Sequence, residues 1–237
     1  MARSTSVKKG RGTSVATIRF RHVALAAYLL MLVSIVAFFL TWTRWYFALP
    51  CTLALIGGFT WLYRCEYLVD RDEFQLPWKH VIGIAVLIGA WVLMSGNCGF
   101  GFGMYDIPWR NAILSDLINY SWPVYYETNG YALSYYVVFW IVPALAGKAL
   151  GWGAALATLW LYETCICVTA VLLVTFLVKP KKTSMFWTVA IVFILWSGLN
   201  LLGQVIMQMI QASYYPFSLS GNESYCDGLY HGQATNF

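Results

Sequence analysis

Charge is scarce in this sequence. Asp, Glu, Lys and Arg make up 11% of its 237 residues while 60% are hydrophobic, and the mean hydropathy is +0.64. Soluble domains carry roughly 25% charged residues, so a soluble globular domain is excluded and the chain reads as an integral membrane protein. Histidine is reduced to His22, His80 and His231, scattered along the chain. The six cysteines, at 51, 65, 98, 165, 167 and 226, have no metal-type spacing. A zinc motif is therefore absent. No Ser–His set supports a hydrolase, and no internal repeat or low-complexity segment is present.

The scarce charge is unevenly spread. Residues 1–21 hold Arg3, Lys8, Lys9, Arg11, Arg19 and Arg21 and no acid, which reads as a disordered basic tail in the cytosol. The net charge of +5 does not suggest nucleic acid, because the basic residues sit at segment ends, where they set topology and touch anionic lipid. The 12 Trp and 16 Tyr fit a chain that crosses two interfaces repeatedly, since such rings settle at headgroup depth. Cys165 and Cys167 lie in an apolar helix pattern and read as small packing residues. Cys98 and Cys226 both fall in segments assigned outside; unpaired thiols are favoured there over a disulfide.

Spans follow from apolar runs of about 20 residues, each enough to cross roughly 30 Å of hydrocarbon. Val23–Trp42 is too long for a signal-peptide core and has no small-residue cleavage site after it. It reads as an uncleaved first span with its N-terminus inside. Trp45–Tyr63 returns after a turn at Thr43-Arg44, and a charged cytosolic loop runs from Arg64 to His80. Val81–Ser95, lengthened at its start from Trp78, is the third span. Tyr131–Leu150 is apolar but broken by Pro143, Gly147 and Lys148, whereas Gly153–Val178 is clean and ends in Lys179-Pro180-Lys181-Lys182. Positive-inside bias returns that lysine cluster to the cytosol only if Tyr131–Leu150 is interfacial or re-entrant. Met185–Gly203 is then the last of five full spans. The expected fold is an all-α polytopic membrane protein: a tail over 1–21, a helical domain over 22–203 with an outer loop at 96–130, and an extracytoplasmic segment over 204–237.

The outer loop and the residues just after it gather the polar side chains. Pro108 suits the first turn of a helix that Asp106 can cap. Over residues 109–119, Asn111, Ser115, Asp116 and Asn119 fall on one arc, while Trp109, Ile113, Leu114, Leu117 and Ile118 fall on the other. That pattern predicts a short helix lying flat at the outer interface. Arg110 falls within the apolar arc, so it either snorkels or meets an anion such as a lipid phosphate. Read without other context, Asp106 is a helix cap, Asp116 a solvated face residue, and Trp122-Pro123 and Tyr135-Tyr136 interface anchors.

The order Asp106, Asn111-Ala112-Ile113-Leu114, Asp116-Leu117-Ile118, Trp122-Pro123-Val124, then Tyr135-Tyr136 opening an apolar segment resembles the GT-C class of membrane glycosyltransferases. More narrowly it resembles an uncharacterised bacterial family related to that class. The block from Trp196 to Gly203 is similar to that family's later Ser-Gly-Leu-Asp element, with Asn200 in place of the acid. The resemblance covers roughly residues 80–203. It implies transfer of a sugar from a polyprenyl-phosphate carrier to an envelope acceptor at the outer side of a bacterial plasma membrane. Asp106 would be the catalytic base or help hold a divalent metal, and Arg110 would contact phosphate. Asn111, Asp116, Trp122, Tyr135 and Tyr136 would line the substrate site. Members of the class normally have more spans. The end at Phe237, soon after the later block, carries the expectation of an incomplete chain. The alternative is a non-enzymatic membrane component, a transporter or assembly partner, for which Glu163 inside an apolar run is the ionisable candidate.

Overall fold

The computed structural model describes residues 15–64, 73–99, 107–126 and 130–212; within 197–212 it describes the backbone and the side chain of Ile206. Seven helices account for most of them: α1 Phe20–Trp42, α2 Trp45–Arg64, α3 Trp78–Met94, α4 Ile107–Asn119, α5 Val137–Leu150, α6 Trp152–Val178 and α7 Thr183–Ala212. The all-α class is thus observed. Three helices, α1, α2 and α6, are long and apolar enough to cross a membrane, and α3, α5 and the first part of α7 are shorter apolar helices. The 23 residues of α1 rise roughly 34 Å. Such helices are apolar on every side because lipid, not water, surrounds them and the backbone bonds itself.

Two small ribbons accompany the helices. Strand β1, Val15–Arg19, pairs antiparallel with β2, Glu73–Pro77, and β3, Tyr125–Tyr126, pairs with β4, Tyr131–Ala132. The first ribbon corrects the expected tail: residues 15–19 are an ordered strand and α1 starts at Phe20. It also turns the end of the charged 64–80 loop into a strand. The reason is local pairing, since Val15 to Arg19 alternates and finds a matching partner, with Arg19 Nε 3.7 Å from Glu73 Oε2. At the other end of the chain α7 runs to Ala212, nine residues past the expected boundary at 203.

Polar ties set the register of the long helices. Tyr162 Oη donates to Leu30 O at 2.9 Å and lies 2.6 Å from Ser34 Oγ, joining α6 to α1. Trp160 Nε1 donates to Gly89 O at 2.9 Å, joining α6 to α3. Trp187 Nε1 donates to His80 Nδ1 at 3.1 Å, joining α7 to α3. Each bond of this kind contributes about 0.6 kcal/mol in a membrane. Phe176, near the end of α6, packs on Phe20 and Phe74. The start of α1, the end of α6 and β2 therefore share one end of the bundle. Lys179, Lys181 and Lys182 follow directly, at the end where α1 begins. Lys179 closes α6 in a left-handed conformation at φ 49°, and Pro180 prevents continuation.

Helix α5, at 14 residues, is about half as long as the 27-residue α6. Gly151, at φ 89°, reverses the chain between α5 and α6, a backbone conformation that glycine adopts without strain. From that turn the two helices run antiparallel, with Gly147 beside Ala155 and the Phe139 ring 5.9 Å from that of Tyr162. The first turn of α5 therefore meets α6 about ten residues from its start, roughly 15 Å along the axis. Helix α5 covers only the half of α6 remote from the lysines. The core is shared by these elements, with Trp140, Ile88, Leu114, Leu117 and Leu159 almost fully buried.

Candidate functional site

Helix α4 packs on α5, and its apolar arc supplies the buried Ile107, Leu114 and Leu117. A Cβ added at Gly147 would lie 2.5 Å from Ile118 Cδ1 and 3.0 Å from Ala155 Cβ. The absence of a side chain there lets α4, α5 and α6 approach closely. At the other end of α4, in its first turn, Arg110 Nη1 donates to Asn97 Oδ1 at 3.0 Å, and Asn97 Nδ2 donates to Glu163 Oε1 at 3.2 Å. Ile118 thus lies beside residue 155 and Arg110 beside residue 163, a separation of eight residues on each helix. Helix α4 stands alongside the α5–α6 pair, antiparallel to α6. This corrects the expectation of a helix flat on the outer interface: its apolar face rests on protein. Trp109, counted with that face, is 60% exposed.

The first turns of α4 and α5 therefore both reach α6 at Tyr162–Glu163, near its middle. The chain Arg110–Asn97–Glu163 links the loop after α3, the start of α4 and the interior of α6, and all three side chains are half-buried. In the structure Arg110 reaches a carboxylate of the protein, Glu163, through one bridging amide. Polarity fixes the bridge: the amide oxygen accepts from the guanidinium and the amide nitrogen donates to the carboxylate. Cys98, next to the bridge, is 1% exposed and unpaired.

A second cluster surrounds the far end of α4. Tyr126 Oη, on β3, donates to Asp116 Oδ2 at 2.5 Å. Burial raises the Asp116 carboxyl above its ordinary range, and the phenol hydrogen bond partly opposes this. Burial and the bond to Asp116 raise the Tyr126 phenol in turn. Trp122 Nε1 donates to Leu117 O at 2.7 Å. Lys148 Nζ donates to Ile118 O and Tyr120 O at 3.1 and 2.7 Å and lies 5.1 Å from the Trp122 ring centroid. The lysine thus serves the last carbonyls of α4, where a cation is favoured, and it stacks on the indole.

The expected site residues divide among three places. Arg110 belongs to the inner chain, and Asp116 and Trp122 to the outer cluster. Tyr135 and Tyr136 stand just before α5, their rings 3.9 Å apart and each about half exposed. Asn111 is half-buried on α4. Asp106, the expected base, lies outside the described residues. Among the described residues no group of three or more His, Cys, Asp or Glu could hold a metal ion. Sequence reasoning missed Asn97 and Tyr126 altogether. It read Lys148 for topology alone, although a lysine interrupting an apolar run signals a partner. No family model matches this chain, and no curated protein or solved structure is similar to it.

Proposed function

We propose that this chain is a polytopic membrane protein acting without covalent chemistry, as a transporter-type component that handles a small polar or charged solute inside the bundle. The observation that carries the reading is the start of two half-length helices, α4 and α5, beside Glu163. Broken helices are tolerated at membrane depth where they line a protein interior or cavity. Their N-termini bring positive potential to that depth. Ionisable side chains there are costly and mark solute or proton pathways. In this reading α1, α2, α3, α6 and α7 cross the membrane, α4 and α5 are re-entrant, and the basic end with the N-terminus faces the cytosol.

The test is solid-supported-membrane electrophysiology on vesicles holding the full chain, with jumps of protons, sodium, chloride and a neutral amino acid as probes. At least one probe should give a current that empty vesicles lack and that Glu163→Gln removes. Silence for every probe, or equal currents in the two proteins, would refute the assignment.

A second reading is sugar transfer from a polyprenyl-phosphate carrier. It is favoured by the outer cluster, where the Asp116 carboxyl and the Tyr126 phenol lie among the exposed rings of Tyr120, Tyr125 and Tyr131. Flat aromatic faces beside a carboxylate suit a sugar ring. Asp106 would then be the base, and Arg110 would have to leave Asn97 to meet a phosphate. Replacing Asp106 with Asn should abolish transfer from a polyprenyl-phosphate hexose while leaving insertion intact; retained transfer removes Asp106 from the mechanism.

A further inference from the structure

At the basic end of the bundle, an apolar groove of about 400 Å³ lies between the last turns of α6 and the first half of α7. Val174 and Val178 form one wall; Val189, Val192, Phe193 and Trp196 form the other. Trp196 is 87% exposed at the groove's deep end. From Thr183 to Trp196, α7 rises roughly 20 Å, somewhat more than the thickness of one leaflet's hydrocarbon, about 15 Å. The dimensions are those of an acyl chain.

What lies above the groove selects the kind of lipid. The α6–α7 connection carries Lys179, Lys181 and Lys182 within four residues. Arg64 and Lys79 stand at the same end, at the close of α2 and the start of α3. Among the described residues Glu73 is the acid at this end, and it already faces Arg19. Among the described residues no acid pairs with Lys181 or Lys182. We propose that this groove and the lysine turn form a binding site for one anionic phospholipid, with an acyl chain along Val189–Trp196 and the phosphate between Lys181 and Lys182. A neutral lipid would fill the same groove but lack the attraction that retains it. Each lysine at a membrane surface favours an anionic lipid about five-fold.

The test uses phosphatidylglycerol with a photoactivatable diazirine in its acyl chain, and phosphatidylcholine carrying the same group, on the full chain in phosphatidylcholine bilayers. Labelled peptides are mapped by mass spectrometry. The glycerol lipid should label Val189–Trp196 at a lower mole fraction than the choline lipid. Lys182→Gln should raise the half-maximal mole fraction about five-fold, and Val189→Trp, which fills the groove, should remove the label. Equal labelling by the two lipids overturns the proposal, as does labelling indifferent to Lys182→Gln. Lys182 is on the surface, so its variant stays decisive should Val189→Trp misfold.

Discussion

Replacing Arg110 with Leu should uncover Cys98. Arg110 and Asn97 hold the first turn of α4 against the loop that buries this thiol, through bonds of 3.0 and 3.2 Å that end on Glu163. A hydrogen bond with one charged partner contributes about 1.5–3 kcal/mol. The three side chains are half-buried, so a value near the lower end, about 2 kcal/mol, is appropriate. At 1.36 kcal/mol per decade, that loss raises the open population roughly thirty-fold. Cys98 is protected in the closed state, because it is 1% exposed. Its labelling rate therefore follows the opening equilibrium.

The assay is maleimide labelling of the full chain with its other five cysteines changed to alanine, followed by mass spectrometry. Arg110→Leu should label about thirty times faster than the parent. Glu163→Gln should have a smaller effect, since the glutamine oxygen still accepts from Asn97. The double variant should fall short of the sum of the two, because directly coupled groups share an interaction energy of about 0.5–3 kcal/mol. Unchanged labelling in Arg110→Leu, or strict additivity, would show that the chain of bonds does not hold α4 down.

Asp116 supplies a pH dependence of unusual sign. Its carboxyl is raised in the fold by burial, so the native state binds more protons than the unfolded chain between the unfolded value near 3.8 and the raised one. Stability contributed there should fall as pH rises through that window, and Asp116→Asn, which can still accept from Tyr126, should flatten the change in thermal unfolding. Gly147→Leu should destabilise by about 1–3 kcal/mol through overpacking against Ile118 and Ala155, lowering the melting temperature by about 2–10 °C; an unchanged melting curve would deny the close α4–α5–α6 contact. Replacing Arg110, Asn97 and Glu163 together by Leu should leave the melting temperature near that of the parent, since apolar replacement of a whole buried ionic set is often neutral or stabilising. The same variant should carry none of the currents attributed to this site.

What was legible in the sequence was local. The start of α3 at Trp78 and the amphipathic helix after Pro108 follow from neighbouring residues, whereas Pro143, Gly147 and Lys148 do not interrupt α5, which runs unbroken over Val137–Leu150. Lysine placement was enough to bring residues 179–182 to the end of the bundle where the chain enters. Features that depend on distant partners were not legible. Strand β1 needs β2, and Val15 pairs with Pro77 across 62 positions. Amphipathicity says that one face of α4 is apolar, but lipid and another helix satisfy that face equally well. Arg110 within the apolar arc was the signal that the face meets protein, and its indirect partner, Glu163, lies 53 residues on. The GT-C resemblance drew attention to Asp106 and the polar arc, whereas the ordered contacts centre on Asn97, a residue outside every quoted motif.

The depth of the Arg110–Asn97–Glu163 chain argues that it is more than a latch. If α4 needed only fastening, the buried Leu114 and Leu117 and the contact of Ile118 with Gly147 would do it, and apolar contacts avoid desolvating charge. An ion pair carried into the middle of a bundle costs several kcal/mol per ion unless geometry and hydrogen bonds compensate. Here the two charges are separated by an amide, which weakens their direct attraction while giving each a hydrogen bond to Asn97. Such an arrangement can be opened by a competing anion on Arg110 or a cation or proton on Glu163 without stranding the other group, because Asn97 remains as its partner. A direct salt bridge would resist that exchange more strongly. The half-length of α4 and α5 brings two helix starts, and their positive ends, to the same level. The fold thus gathers, at about the middle of α6, the groups that could exchange a protein partner for a solute.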